Sequence, residues 1–332
     1  MSQPPILEVR DLHKYFPVRQ SLLQRSPSFV KAVDGVSFTL ERGEVLAIVG
    51  ESGCGKTTIA RTLIGLEAPT SGKMIFDSRS IGDEIPLKEL RRRAQMVFQD
   101  PYESLDPRAT IAETMEEPLI VHGIGRSSAE RTECACAALD DAGLRPATDF
   151  LLRYPHELSG GQRQRVVIAG AMVLEPDLLI ADEPVSMLDV SIRAEILNLL
   201  NELRQKRGVS IVFITHDLGT VGYFADRIAV MYLGRIVETG PTAELLKNPQ
   251  HPYTKALLSV VPVPNPRLRR ERVILQGETP NAASIPPGCR FHPRCPIAGE
   301  SCRITDPPYV QVGPNHSTAC LLVEEQASDL QA

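Results

Sequence analysis

The residues best suited to chemistry lie in the stretch Gly50-Glu51-Ser52-Gly53-Cys54-Gly55-Lys56-Thr57-Thr58. Gly50, Gly55, Lys56 and Thr57 stand at the spacing of a phosphate-binding loop. Glycines let successive backbone N–H groups turn inward around an anion. Lys56 supplies a mobile charge for the terminal phosphates, and the Thr57 hydroxyl suits Mg²⁺. A second chemical stretch is Leu178-Leu-Ile-Ala-Asp182-Glu183-Pro184, an apolar run ending in two carboxylates. Beside a phosphate loop, such a pair serves one Mg²⁺-associated aspartate and one carboxylate that orients water. Leu158-Ser159-Gly160-Gly161-Gln162 is a second possible anion nest, or an ordinary glycine-rich helix cap.

These residues need elements to hold them. Val45–Val49 is a continuous apolar run of the kind a buried strand carries. After Thr57, Ile59, Leu63, Ile64 and Leu66 recur at roughly helical spacing, which turns a helix N-terminus toward the phosphates. A glycine-rich turn with no ligand is the alternative, and the flanking strand and helix argue against it. Upstream, Ile6–Leu12 alternates as a half-buried strand and leads to Tyr15-Phe16-Pro17. Tyr15 is placed to stack on a flat base or to serve as a core or edge residue. Gln20–Phe29 is polar and serine-rich and reads as a surface loop, and Val30–Leu40 as a strand pair turning at Asp34-Gly35. Gly72–Asp77 and Gln95–Gln99 read as strands, with Lys88–Arg93 between them on a short helix with a solvated face. Helical pattern runs from Thr110 to Gly143, with Ser127 and Glu130 at capping-box spacing. Cys134 and Cys136 on that helix read as small buried side chains. Helices are expected over Gln164–Leu174 and Ile192–Leu203, a buried strand over Val209–Thr215 ending at His216, and a hairpin around Gly234.

The chain has 332 residues, enough for one large α/β domain and a smaller companion. A net charge of −5 argues against a nucleic-acid partner recognised through the protein's overall field. The longest unbroken apolar run lies near Val166–Leu174, far short of the roughly 20 residues that span a bilayer. The first residues, MSQPPILEVRDL, lack a basic-then-apolar leader, so a cytosolic chain is expected, with any membrane association made through a partner.

Taken together, the phosphate loop, Gln99, LSGGQ at 158–162, LLIADEP at 178–184, SMLD at 186–189 and His216 resemble the nucleotide-binding domain of an ATP-binding cassette (ABC) protein. The resemblance implies a P-loop α/β fold with a RecA-like core, an antiparallel β subdomain and an α-helical subdomain near residues 100–160. It implies ATP and Mg²⁺ as ligands. In those terms Tyr15 stacks on adenine, Gly50 to Thr58 cradle the phosphates, and Thr57, Gln99 and Asp182 serve Mg²⁺. Glu183 is the catalytic carboxylate, and His216 holds the γ-phosphate. Ser159, Gly160, Gly161, Gln162 and Asp189 face ATP held by a second cassette. Met187, where alanine is commoner, and Thr58 are small departures that remove no chemical group.

Residues 251–332 change character. They are proline-rich, with a charge cluster at Arg267–Arg272. His251-Pro-Tyr253, Ala256-Leu-Leu258 and Gly-Cys-Arg-Phe-His-Pro-Arg-Cys at 288–295 resemble the tail of ABC ATPases that serve oligopeptide and dipeptide importers. Residues 1–250 would then form the cassette, and 251–332 a small irregular extension that braces a cassette pair. Cys289, Cys295, Cys302 and Cys320 are separated by five, six and seventeen residues. That spacing is wider than structural zinc favours and leans toward a [4Fe–4S] cluster, with zinc or unligated thiols as alternatives. His292 and His316 read as ordinary loop residues. The resemblance implies a second ATPase subunit (a paralogue), two permease subunits and an extracytoplasmic substrate-binding protein. It places the chain peripherally on the cytoplasmic face of the bacterial inner membrane. Two alternatives stay open: a soluble ABC ATPase acting on DNA or ribosomes, and an importer of nickel, glutathione or another small solute.

Overall fold

The computed structural model describes residues 3–18, 29–261, 273, 275 and 277–323. The Gln20–Phe29 loop, save Phe29, and the Arg267–Arg272 cluster lie outside the described residues. The strands, in chain order, are β1 (Leu7–Pro17), β2 (Phe29–Leu40), β3 (Val45–Val49), β4 (Ser71–Phe76), β5 (Arg79–Ser80), β6 (Ala94–Val97), β7 (Leu178–Asp182), β8 (Ser210–Thr215), β9 (Arg227–Tyr232), β10 (Arg235–Pro241), β11 (Val310–Gly313) and β12 (His316–Thr318). The chain divides into two compact units. One comprises Met1–Leu7, Leu40–Glu44 and Phe76–Phe213, the other Glu8–Thr39, Val45–Ile75 and Ile214–Ala332.

In the second unit the order β11-β12-β10-β9-β3 runs across one sheet, and β2-β1-β4 across another. All five residues of β3 are buried, as its apolar run predicts. It pairs in parallel with β9, Leu46 opposite Arg227 and Val49 opposite Val230. The β9–β10 hairpin turns at Leu233 (φ 41°) and Gly234 (φ 80°), with a bulge between Ile236 and Glu238. The expected hairpin at Asp34-Gly35 is not formed. β2 runs unbroken from Phe29 to Leu40, and Gly35 (φ 82°) is absorbed inside it as a local irregularity. Asp34 explains the difference, because its buried carboxylate is tied to Tyr15, His13 and Arg290.

The C-terminal region carries more order than its composition predicts. β12 pairs with β10, Glu238 opposite Thr318. Phe291 packs edge-on against Tyr232 at 5.3 Å and tilted by 55° against Tyr253 at 5.4 Å, and all three rings are buried. His316 is no loop residue: it is buried in β12 and pairs through Nε2 with Glu238 at 2.8 Å.

His251 is fully enclosed here, and burial holds its pKa down to about 4. Its Nδ1 accepts from the Tyr253 N–H at 3.1 Å and caps the helix Pro252–Ser259. For a base depressed in the folded state, stability is complete above the ordinary value near 6.5 and is lost as pH falls toward 4. Thermal melts are therefore expected to show the wild type losing more Tm between pH 7 and 5 than His251→Asn, which keeps a cap acceptor without a titrating group. Parallel losses would contradict this.

In the first unit the order is β8-β7-β6, with β6 and β7 parallel, Ala94 opposite Leu178 and Val97 opposite Ala181. β7 is buried throughout. The helices Ile111–His122, Ser128–Asp141, Gly160–Met172 and Val190–Arg207 belong to this unit. Thr110 and Glu113 form a full capping box at the first of these, and Ser127 caps the second through Glu130 N. Two local expectations are corrected. Cys134 and Cys136 are half-buried, because their helix is amphipathic only along Ala135, Ala138 and Leu139. Arg93 is not part of a solvated face: it donates to Asp77 at 2.7 Å and Asp177 at 2.6 Å, with its guanidinium over the Phe76 ring.

Candidate nucleotide site

The phosphate loop leaves buried β3 at Gly50 and enters the helix Lys56–Leu63. Backbone crowding dictates two of its glycines. A Cβ on Gly50 would meet the Met231 carbonyl oxygen at 2.2 Å, and one on Gly55 the Ala32 carbonyl oxygen at 2.0 Å. Gly53 and Gly55 also take φ of 79° and 109°, which leaves their N–H groups free to line a concave turn. Lys56 is buried, and its Nζ donates to the carbonyls of Gly50 (2.7 Å) and Glu51 (3.0 Å). Cys54 is buried behind the loop with its thiol 3.9 Å from Lys56 Nζ, and burial pushes its pKa up. Ser52, Gly53 and Thr57 are exposed and Thr58 half-buried. The turn thus fits a phosphate chain: carbonyls of Met231 and Ala32 pack too closely against Gly50 and Gly55 to admit a side chain, and the buried Lys56 ammonium supplies the positive charge.

The same unit holds Tyr15 and His216. The Tyr15 hydroxyl donates to Asp34, and the Lys31 ammonium sits 5.5 Å over its ring. Burial, then Asp34, pushes the Tyr15 pKa up to about 12. Asp34 itself stays near 2, because hydrogen bonds from Tyr15 and Arg290 overcome the burial that would raise it. His216 is exposed just past β8, where Asp217 caps the next helix by accepting from Gly219 N at 2.9 Å.

The other unit holds the carboxylates and the Ser-Gly-Gly turn. Asp182 ends β7, and Glu183 follows it in the left-handed region, φ 48°, nine-tenths buried. A non-glycine residue there stores of order 1–3 kcal/mol of strain and keeps a particular side-chain aim. Gln99, two residues beyond β6, donates through Nε2 to Glu183 Oε2 at 3.3 Å. Sequence reading placed it at the end of the strand itself. Ser159 caps the helix Gly160–Met172 in a full capping box: its Oγ accepts from Gln162 N at 3.3 Å, while Gln162 Oε1 accepts from Ser159 N at 3.0 Å. Gly161 lies against Ile192, whose Cγ2 a Cβ would meet at 2.9 Å. Asp189 is exposed at the N-cap of Val190–Arg207.

Sequence reading missed a set of contacts from the C-terminal region to the phosphate loop. Glu51 N donates to the Tyr253 hydroxyl at 2.9 Å, while the Glu51 carboxylate accepts from Thr279 (2.6 Å) and from Arg294 (2.7 and 3.1 Å). These partners lie more than 200 residues away in the chain, where no local periodicity can signal them.

The thiols of Cys289, Cys295, Cys302 and Cys320 feel one another electrostatically, and burial pushes the Cys289 pKa up to about 11. Among the described residues, no three His, Cys, Asp or Glu side chains converge as a metal ion requires. The expected iron–sulfur cluster therefore finds no support among the described residues.

Residues 33–186 match the family model described as ABC transporter, and residues 237–302 match the oligopeptide/dipeptide transporter C-terminal region. The oligopeptide transport ATP-binding protein AppF of Bacillus subtilis is 49% identical, across 97% of this chain and 98% of that protein. The chain belongs to the ATP-binding proteins of ABC transporters. DppF of Haemophilus influenzae, a dipeptide transport ATP-binding protein, is 48% identical across 96% of this chain and 97% of its own. Among solved structures, CbiO1 of Clostridium perfringens, part of the ABC transporter complex CbiONQ, aligns with a TM-score of 0.62 at 30% identity over 74% of this chain and 91% of that one. The dimeric bacterial ABC transporter cassette MJ0796 aligns with the same score and identity over 71% of this chain and 98% of its own. This ABC protein is accordingly an ATPase of α/β fold, as its motifs predict. Among its described residues, no helix is long and apolar enough to cross a membrane.

Proposed function

We propose that this ABC ATPase powers the import of di- or oligopeptides through a separate membrane permease. The observation that carries the reading is near-full-length similarity to AppF and DppF, together with the match of residues 237–302 to the peptide-transporter C-terminal region. A nucleotide-binding subunit has no reason to touch cargo, so kinship assigns the peptide and the site assigns the energy source.

In this reading residues 1–250 form the cassette and 251–332 an extension of it. Backbone N–H groups from Gly50 to Thr58 and the Lys56 ammonium hold the triphosphate, and Tyr15 stacks on the base. Thr57, Asp182 and Gln99 would hold Mg²⁺, which neutralises phosphate charge. Glu183 accepts a proton from the attacking water, with Gln99 steering the carboxylate from its Oε2 side. His216 holds the γ-phosphate. Ser159, Gly160, Gly161, Gln162 and Asp189 meet ATP bound by a second cassette, so ATP joins two ATPase subunits and hydrolysis releases them. The partners are a paralogous ATPase, two permease subunits and an extracytoplasmic binding protein, and the chain sits peripherally on the cytoplasmic face of the inner membrane. A [4Fe–4S] cluster on the four C-terminal cysteines is a finer proposal resting on their spacing in the sequence alone, and iron and sulfide analysis of anaerobically purified protein tests it.

Uptake by cells that carry or lack this chain tests the cargo. Loss of labelled tri- to pentapeptide uptake with nickel and glutathione uptake intact supports the proposal, and the reverse pattern overturns it.

A further inference from the structure

The Glu51 side chain is anomalous for a phosphate site: a carboxylate stands one residue into a loop that receives a polyanion. Its charge also acts on Lys56, the cation meant for that polyanion. Left alone, Glu51 would repel phosphates and draw Lys56 toward itself. The structure prevents this with a residue from far along the chain. Arg294 donates from Nη1 and Nη2 to the two Glu51 carboxylate oxygens, and Nη1 also reaches the Thr279 hydroxyl at 3.1 Å. A fork of this kind fixes a carboxylate in both place and charge. The Arg294 side chain is 8% exposed and lies over the Tyr232 ring, while Glu51 keeps 27% of its side chain exposed, so the pair is only partly screened from bulk water. Burial would raise the Glu51 pKa, yet Arg294 and Thr279 hold it below the usual carboxylate range. The loop bearing Arg294 is anchored four residues earlier, where buried Arg290 pairs with Asp34 and donates to the Leu233 carbonyl. Lys56 Nζ meanwhile rests on backbone carbonyls rather than on the Glu51 carboxylate.

We propose that Arg294 is a positioning residue of the nucleotide site: it occupies the Glu51 carboxylate so that Lys56 stays available to the triphosphate, and through it the C-terminal extension sets ATP affinity. The inference rests on the reading that residues 50–58 bind Mg-ATP.

The test measures Mg-ATP affinity on the full-length protein, and KM and kcat in the assembled transporter. Arg294→Ala is expected to raise Kd and KM roughly tenfold while kcat stays within about twofold. Arg294→Lys should recover most of the loss. The decisive variant adds Glu51→Gln to Arg294→Ala: removing the uncancelled carboxylate should bring affinity back to within about threefold of wild type. A merely structural arginine would give no such rescue. An unchanged Kd in Arg294→Ala, or a weakened Kd that Glu51→Gln fails to relieve, overturns the proposal. Should Arg294→Ala not fold, Arg294→Gln replaces it with the same two outcomes. Wild-type protein that retains no Mg-ATP defeats the nucleotide reading itself. Binding lost in Lys56→Ala but untouched in Arg294→Ala defeats this inference alone.

Discussion

Glu183→Gln is expected to bind Mg-ATP as wild type does and to hydrolyse it on the order of 10²–10⁴-fold more slowly, the range a positioned general base contributes. The substitution exchanges one carboxylate oxygen for an amide of the same shape. It therefore leaves the packing of a nine-tenths buried side chain nearly unaltered. The backbone at φ 48° is unaffected as well, since neither residue is better suited to the left-handed region. What is lost is the capacity to accept a proton. The Gln99 Nε2 donor, 3.3 Å from Oε2, would still find the amide oxygen in one rotamer. Single-turnover phosphate release separates the chemistry from binding, and turnover at the wild-type rate would remove Glu183 from the mechanism. On the proposed reading that ATP joins two ATPase subunits, the same variant should accumulate as an ATP-bound dimer with its partner.

The second large effect concerns backbone, and it comes as a contrast between two glycines. Gly55→Ala places a methyl 2.0 Å from the Ala32 carbonyl oxygen and 2.8 Å from the Met231 methyl, at φ 109°. Backbone strain and overpacking each cost of order 1–3 kcal/mol, so the loop must shift, and its N–H groups leave the phosphates. Mg-ATP affinity is expected to fall by about two orders of magnitude or more. Gly53→Ala has a comparable φ of 79° but nothing within 4 Å of its added Cβ. It should lose only about tenfold, from the left-handed backbone alone. Equal losses in the two variants would mean that close backbone approach at Gly55 does not shape the cradle.

How much of this was legible in the sequence follows from the range of the interactions. The Val45–Val49 strand, the loop after it and the strand ending in Asp182 declare themselves through continuous apolar runs and fixed motif spacing, and each stands where expected. The β9–β10 hairpin does so through Gly234. Gly35 misled because a glycine after an aspartate signals a hairpin, whereas Asp34 is held by Tyr15 and Arg290 and the strand runs on. His316 and Arg93 looked like solvated residues because their partners, Glu238 and Asp177, are 78 and 84 residues away. The support of Glu51 by Tyr253, Thr279 and Arg294 is of the same kind: one loop end is local, and everything that steadies it is tertiary.

The central claim is that ATP held by the loop around Lys56 drives peptide uptake. It is tested most directly in inside-out membrane vesicles carrying this chain with the proposed permease and second ATPase, and the proposed binding protein in the lumen, supplied externally with Mg-ATP. Wild-type vesicles should export a labelled, binding-protein-loaded oligopeptide from the lumen only when ATP is present, and Lys56→Ala vesicles should export none. Transport that continues undiminished in Lys56→Ala, or that proceeds equally without ATP, would contradict the account.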